Sequence, residues 1–372
     1  MASTPRIARA ATPPRLRRAA VSDFTSYDRY EDYSAKVRIR PNPKANRPRT
    51  KRRPSHDEAV TGMVIGVDRG RYTTILDQNT EAERLVLCAR ARELHKTAIV
   101  IGDSVQIVGD VSGSPGTLGR IVKLNDRHTL LRRSADDSDK VERVMVANAT
   151  QMLIVVAATN PEPRVGLVDR SLAAAYDAGI TPLLCITKTD LAEPDEFLSH
   201  FAALEVPVFR SVATAVPLAE LGAALRDNIT VFIGHSGVGK STLINTLVPA
   251  ANRATGHVNA VTGRGRHTSS SSVALRFGSS DSGSGWVIDT PGVRSFGLGH
   301  ISTANVIGSF QDLAAVIAEC PRGCSHAATT PDCELTLQQD KLTATQQARL
   351  QSLRRLLGVA VSPAFSEQQQ LT

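Results

Sequence analysis

Residues 229–247 read ITVFI, GHSGVGKS, TLINTL. They form an apolar β-branched run (Ile229–Ile233), a glycine-rich octet (Gly234–Ser241) and a stretch with helical apolar spacing (Thr242–Leu247). The octet fits G-x-x-x-x-G-K-[ST] at every fixed position, with His235, Ser236, Gly237 and Val238 in the variable places. Glycines let the backbone turn without a Cβ clash, so successive N–H groups point inward at phosphate oxygens. Lys240 supplies a point charge for β/γ-phosphates, and the Ser241 hydroxyl is a candidate Mg²⁺ ligand. A helix beginning near Lys240 aims its positive dipole end at the same anion. Strand, loop and helix together predict a nucleotide phosphate site spanning Gly234–Thr242 and an α/β fold.

Two further motifs surround this loop. Asp289–Gly292 (DTPG) closes the strand-like run Gly285–Ile288. An acidic residue there can hold Mg²⁺ through water, and the Gly292 N–H is placed to sense a γ-phosphate. Thr187–Asp190 (TKTD) closes the run Leu183–Ile186. One carboxylate accepts from both guanine donors, N1–H and the exocyclic amine, so Asp190 selects guanine over adenine. Lys188 is expected to pack over base and sugar, with Thr187 and Thr189 framing the turn. The usual form of this motif begins with Asn, and Thr187 departs from it. The expected ligands are GTP or GDP with Mg²⁺.

The base reader precedes the phosphate loop, which precedes DTPG. Most GTPases place the base reader last, so this order is a cyclic permutation that keeps the strands adjacent in space. Between loop and DTPG lies Gly263–Ser271 (GRGRHTSSS), a polar stretch suited to ordering around a γ-phosphate. Thr268 is the candidate second hydroxyl on Mg²⁺. Hydrolysis also needs an aligned water. Many GTPases carry glutamine directly after the DTxG glycine, but Val293 stands there. Slow intrinsic turnover and stimulation by a partner are therefore expected, with His267 as candidate water-orienting group. Lys240, Thr268 and His267 are the catalytic candidates.

Composition divides the chain. It has 372 residues, 41% hydrophobic but only 4% aromatic, so two or three domains with aliphatic cores are expected. Residues 1–56 hold 15 Lys or Arg against 4 Asp or Glu, a net of +11, within a total of +8. Residues 1–57 thus read as a basic, disordered arm whose natural partner is RNA. Residues 58–133 carry five short strand-like runs broken by turn residues, which predicts a small β-barrel, an OB-fold being one option. Residues 145–298 alternate strand with helix, beginning with strands at Val144–Ala147 and Gln151–Ala158, which predicts a parallel sheet covered on both faces. Residues 299–372 read as helical. Val306, Phe310, Leu313 and Ile317 line one helix, and a second runs through about Leu337–Leu357. Apolar runs are strand-sized and none reaches membrane-span length. The basic N-terminus has no apolar h-region, so no secretory signal is expected.

Cys88 and Cys185 stand singly in apolar runs, where a buried small hydrophobe is the ordinary role. Cys320, Cys324, His326 and Cys333 instead cluster as three thiols and one imidazole. That is the ligand set of a closed structural Zn²⁺ site. No paired disulfide framework accompanies it, which points to a reduced, cytoplasmic setting.

Permuted GTPase motifs, a small N-terminal barrel and a C-terminal Cys/His cluster together resemble the ribosome small subunit-dependent GTPase A family. The resemblance covers about residues 60–360. It implies an OB-fold, a permuted GTPase domain and a zinc domain. It also implies GTP hydrolysis on the small (30S) ribosomal subunit and its rRNA during late assembly; separately, a monomer without membrane attachment is expected. Carried over, Thr187–Asp190 reads the base, Gly234–Thr242 holds phosphate, and the four Cys/His residues hold zinc. The cysteine gaps depart from the commoner spacing, three residues then six rather than four then five, with the total span unchanged. The competing reading is an RNA-binding scaffold in which GTP only locks a conformation. A third is an ATPase with a coincidental TKTD.

Overall fold

A computed structural model describes residues 56–94, 97–134, 142–249, 273–279, 283–290 and 301–361. The basic arm up to Ser55, the Gly263–Ser271 stretch with His267 and Thr268, and Gly292 with Val293 lie outside the described residues.

Alternating apolar and polar residues build the first element group. Strands β1 (Val60–Asp68), β2 (Arg71–Leu76), β3 (Arg84–Arg90), β4 (Ser104–Gly109) and β5 (Gly119–Leu124) pair in the order β1-β2-β3-β5-β4. The β1–β4 pairing closes the ring. Inward residues Val64, Tyr72, Val86, Cys88, Val105, Ile107 and Ile121 fill it. This is the small barrel expected from the turn-punctuated sequence, of the OB type. One extra residue, Ile65, bulges β1 between Val64 and Gly66.

A hairpin follows, β6 (Leu130–Ser134) with β7 (Glu142–Ala147), paired antiparallel as a separate two-stranded sheet. The sequence reading groups β7 with the parallel strands; the structure does not. Only three residues separate β7 from the next strand, whereas a parallel neighbour needs a crossover of a dozen or more.

The parallel sheet comprises β8 (Gln151–Ala157), β9 (Thr181–Thr187), β10 (Val208–Ser211), β11 (Ile229–Ile233) and β13 (Gly283–Asp289). Strand β12 (Val273–Ser279) runs antiparallel to β13. The order is β10-β9-β8-β11-β13-β12. Residues of β8 alternate between two cores. Met152, Ile154 and Val156 join one, and Leu153, Val155 and Ala157 the other. Both faces are thus covered, as the unbroken apolar runs predict. The second core receives Leu221 and Leu225 of α3 (Leu218–Leu225) and Leu243 and Ile244 of α4 (Lys240–Leu247). The first receives α1 (Val165–Asp177), which Gly179 terminates at φ 66°. A short α2 (Asp195–Ser199) leads toward β10.

The C-terminal helices join that first core. Val306 of α5 (Thr303–Gly308), Phe310, Leu313 and Leu335 of α7 (Glu334–Leu337) share one cluster with Val168 and Leu172 of α1. Residues 303–318 are not one helix. After α5 the chain passes through Phe310 (φ −106°, ψ 63°) and a 3₁₀ turn before α6 (Ala314–Ala318). The expected apolar face survives the break, because Val306, Phe310 and Leu313 are all buried. The final helix, α8 (Ala344–Val361), starts later than the predicted Leu337. Thr343 caps it, and Gln346 reciprocates: the Gln346 N–H donates to the Thr343 hydroxyl and the Thr343 N–H to Gln346 Oε1. This T-x-x-Q capping box is written in the sequence and sets the true start. No helix among the described residues is long and apolar enough to cross a membrane.

Candidate nucleotide site and metal centre

The phosphate-loop octet lies where the sequence predicts, between the C-terminal end of β11 and the first turn of α4. Its glycines are required by geometry. A Cβ on Gly234 would lie 2.5 Å from the Val155 carbonyl oxygen, so the loop leaves β11 against the neighbouring strand. Gly237 and Gly239 have φ of 82° and 92°, which side chains other than glycine rarely adopt. Val238 is buried in the core below and pins the loop from inside. His235 is half-buried, and Ser236, Ser241 and Thr242 are exposed along the mouth. These backbone angles and the open hydroxyls fit a phosphate chain with its Mg²⁺.

Three motifs distant in the chain meet here. The Thr187 hydroxyl, at the end of β9, donates to the Val238 carbonyl at 2.5 Å. The departure from Asn therefore still ties the TKTD turn to the glycine-rich loop, through a hydroxyl rather than an amide. From the other side, Lys240 forms an ion pair with Asp289 at the end of β13. Thr290, next in the DTPG motif, donates to the Phe232 carbonyl at 2.8 Å and fixes β13 against β11. Within the TKTD turn, Lys188 takes φ 57° and its Nζ donates to the Asn160 carbonyl. Thr189 donates through its N–H to the Ser211 carbonyl at 3.4 Å. Asp190 is exposed at the tip, free to meet a base edge.

Asn160 and Ser211 are the residues that motif reading misses. Ser211 ends β10 in register with Thr187 of β9. The available signal is positional: ligands of such sheets bind beyond the carboxyl ends of the strands. Asn160 has no local signature, since its role is a backbone carbonyl.

Thr187 yields a prediction. Thr187→Val keeps the shape but leaves the Val238 carbonyl without this donor, at a cost of about 1–2 kcal/mol. Guanine-nucleotide affinity should fall roughly tenfold, while Thr187→Ser stays near the parent in equilibrium binding. Equal affinity in the valine variant would remove this tether from the site.

The four Cys/His residues also converge. The ligand atoms of Cys320, Cys324, His326 and Cys333 lie within 4.8 Å of one another, and Cys333 Sγ is 3.9 Å from His326 Nδ1. Tetrahedral zinc with Zn–S of 2.3 Å would set sulfurs about 3.8 Å apart, so the set fits with small closure. The His326 N–H donates to Cys324 Sγ at 3.4 Å. Burial pushes the Cys333 thiol up, but hydrogen bonds from Cys324 and the Leu335 and Thr336 N–H groups outweigh it and bring the thiol down. Burial also lowers the His326 imidazole, favouring the neutral ring a metal requires. The lone thiols behave oppositely: burial drives Cys185 up to about 12 and raises Cys88, consistent with inert packing.

Helix α8 braces this centre against α1. Arg354 donates to the His326 carbonyl at 3.4 Å and to the Thr336 hydroxyl at 2.6 Å. Its neighbour Arg355 turns the other way, donating to both oxygens of Asp169 on α1 at 3.0 and 2.9 Å. Asp169 is buried, which pushes its carboxyl up, and Arg355 pulls it part of the way back.

Comparison with known proteins agrees with this arrangement. The family model for the RsgA GTPase matches residues 124–299. A protein of Pseudomonas aeruginosa (strain LESB58) named small ribosomal subunit biogenesis GTPase RsgA is 36% identical over 268 residues, covering 70% of this chain and 75% of its own. A Pseudomonas fluorescens (strain SBW25) protein of the same name is 36% identical over 322 residues, covering 82% and 90%. The crystal structure of YjeQ from Thermotoga maritima shares the fold, with a TM-score of 0.57 and 24% identity over 81% of this chain and 99% of that one. So does YloQ, described as a circularly permuted GTPase, with a TM-score of 0.56 and 22% identity over 83% and 97%. Motif order, sheet, barrel and relatives concur: this chain belongs to the RsgA GTPase family.

Proposed function

We propose that this chain hydrolyses GTP on the small ribosomal subunit as the subunit is assembled, with turnover stimulated by the subunit. The observation that carries the reading is the meeting of the base-reading turn, the phosphate loop and Asp289 at the carboxyl ends of β9, β11 and β13, through Thr187–Val238 and Lys240–Asp289. The relatives' shared name supplies the setting. On this reading Asp190 accepts from guanine, and Lys188 and Thr189 hold the turn behind it. Residues Gly234–Thr242 cradle phosphate, Lys240 moves from Asp289 to the β/γ-phosphates, and Ser241 and Asp289 face the metal. Bound Mg²⁺ would neutralise charge developing on the phosphate oxygens. Thr268, His267 and Gly292 complete the set as metal ligand, water-orienting group and γ-phosphate sensor. Cys320, Cys324, His326 and Cys333 hold one structural Zn²⁺. The domain division is arm 1–57, barrel 58–133, GTPase domain 145–298 and zinc domain 299–372. The arm's charge suits rRNA, and the protein works as a cytoplasmic monomer.

The test is multiple-turnover phosphate release with and without purified small subunits. Release rising at least tenfold with subunits is expected. Binding to subunits with no turnover beyond one equivalent would favour the scaffold reading, in which GTP serves only as a lock.

A further inference from the structure

Strand β12 lies between the barrel and the nucleotide site and touches the barrel at two points. Its first residue, Val273, pairs with Gly66 of β1 just after the bulge. Val273 is also the cross-strand partner of Asp289. The backbone path from the barrel to the carboxylate that holds Lys240 is therefore Gly66, Val273, Asp289.

The second contact is a side-chain clamp. Arg276 forms an ion pair with Glu83 and donates to Asn79, both in the segment joining β2 to β3. It also donates to the Ser284 hydroxyl of β13 at 3.3 Å. Glu83 itself receives the Asn79 N–H at 2.9 Å, so its carboxylate is held from within the barrel as well as by Arg276. Both charges are about three-quarters covered, at 22% and 29% side-chain exposure, which strengthens their attraction relative to a surface pair. One guanidinium thus grips the barrel, β12 and β13 together. None of these residues belongs to a nucleotide motif.

We infer that Arg276 is a positioning residue for the nucleotide site. By clamping β12 to the barrel it holds the β12–β13 pair in the register that directs Asp289 toward Lys240 and the metal. The inference rests on the assignment of Asp289 to nucleotide-bound Mg²⁺. It makes the barrel a control element: a displacement of the barrel is felt at Asp289 through the β12–β13 pairs from Arg276–Trp286 to Val273–Asp289. Coupling of this kind is reciprocal, so nucleotide with Mg²⁺ would in turn stiffen the barrel contact.

The experiment measures equilibrium binding of a non-hydrolysable GTP analogue to the full chain, in Mg²⁺ and in EDTA, with melting temperature as a check on folding. In Arg276→Ala the affinity gained from Mg²⁺ should shrink about fivefold, the lower end of ordinary coupling between sites, while binding in EDTA stays unchanged. Glu83→Ala should do the same, and the double variant no more than either single. The swap Arg276→Glu with Glu83→Arg should recover part of the loss. Unaltered Mg²⁺ dependence in both singles would overturn the proposal. So would losses equal in Mg²⁺ and EDTA, or single effects that add in the double. A parent chain that binds no guanine nucleotide would instead overturn the nucleotide assignment on which the proposal rests.

Discussion

Asp190→Asn should convert a guanine site into a xanthine site. A carboxylate accepts from guanine N1–H and the 2-amine together; asparagine offers one acceptor and one donor. Xanthine carries a carbonyl where guanine carries the amine, so the amide complements it instead. Two hydrogen bonds to a charged group are lost with GTP, each worth about 1.5–3 kcal/mol, which corresponds to roughly 10²- to 10⁴-fold in affinity. XTP should gain correspondingly. The turn itself should persist, because the Leu191 N–H donates to the Lys188 carbonyl at 3.0 Å and Asp190 is exposed. Melting temperature should therefore stay near the parent's while base preference inverts, as read by competition binding of GTP, XTP and ATP. An unchanged base preference would show that the TKTD turn is not the reader, and would reopen the ATPase reading.

Loss of metal should produce the largest effect on stability. Structural zinc contributes about 10–16 kcal/mol to folding of small zinc modules. Here the ligands are not isolated from the sheet. Cys333 and Leu335 belong to the same buried cluster as α1 and α8, and Arg354 and Arg355 join the Cys/His knuckle to Asp169. Cys333→Ser, or chelation of the parent, should therefore loosen α8 and uncover one face of the sheet. A loss of roughly 5 kcal/mol would lower the melting temperature by about 6 °C at this chain length. The checks are zinc content and a thermal melt followed by circular dichroism. A variant that keeps a full equivalent of zinc, or melts with the parent, would show that these four residues do not form a structural site.

Much of the candidate site was legible because its chemistry is local. Gly234, Gly237 and Gly239 are demanded by backbone angles and close approach within one turn, and such demands leave a mark at fixed spacing. The TKTD and DTPG turns are strand ends with the same property, and the cysteine cluster is a short-range ligand set. Barrel strands were readable from alternation. The capping box at Thr343 was equally readable, although the helix is expected from Leu337. What was illegible depends on pairs far apart in the chain. Arg276 and Glu83 are 193 positions apart, and Arg355 and Asp169 186. Nothing near any of the four residues hints at its partner.

The amino-acid sequence alone determined the glycine-rich loop, the TKTD and DTPG strand ends, the Cys/His cluster and the permuted order of the motifs. Each of these motifs is written by residues close in the chain, through dihedral limits and donor chemistry. Tertiary structure alone decided that β7 pairs with β6, that the segments flanking the Cys/His cluster share a core with α1, and that the barrel grips β12 beside Asp289. Those choices are made by burial and by charge pairing between distant segments. Their energies exist only once the sheet has brought the segments together.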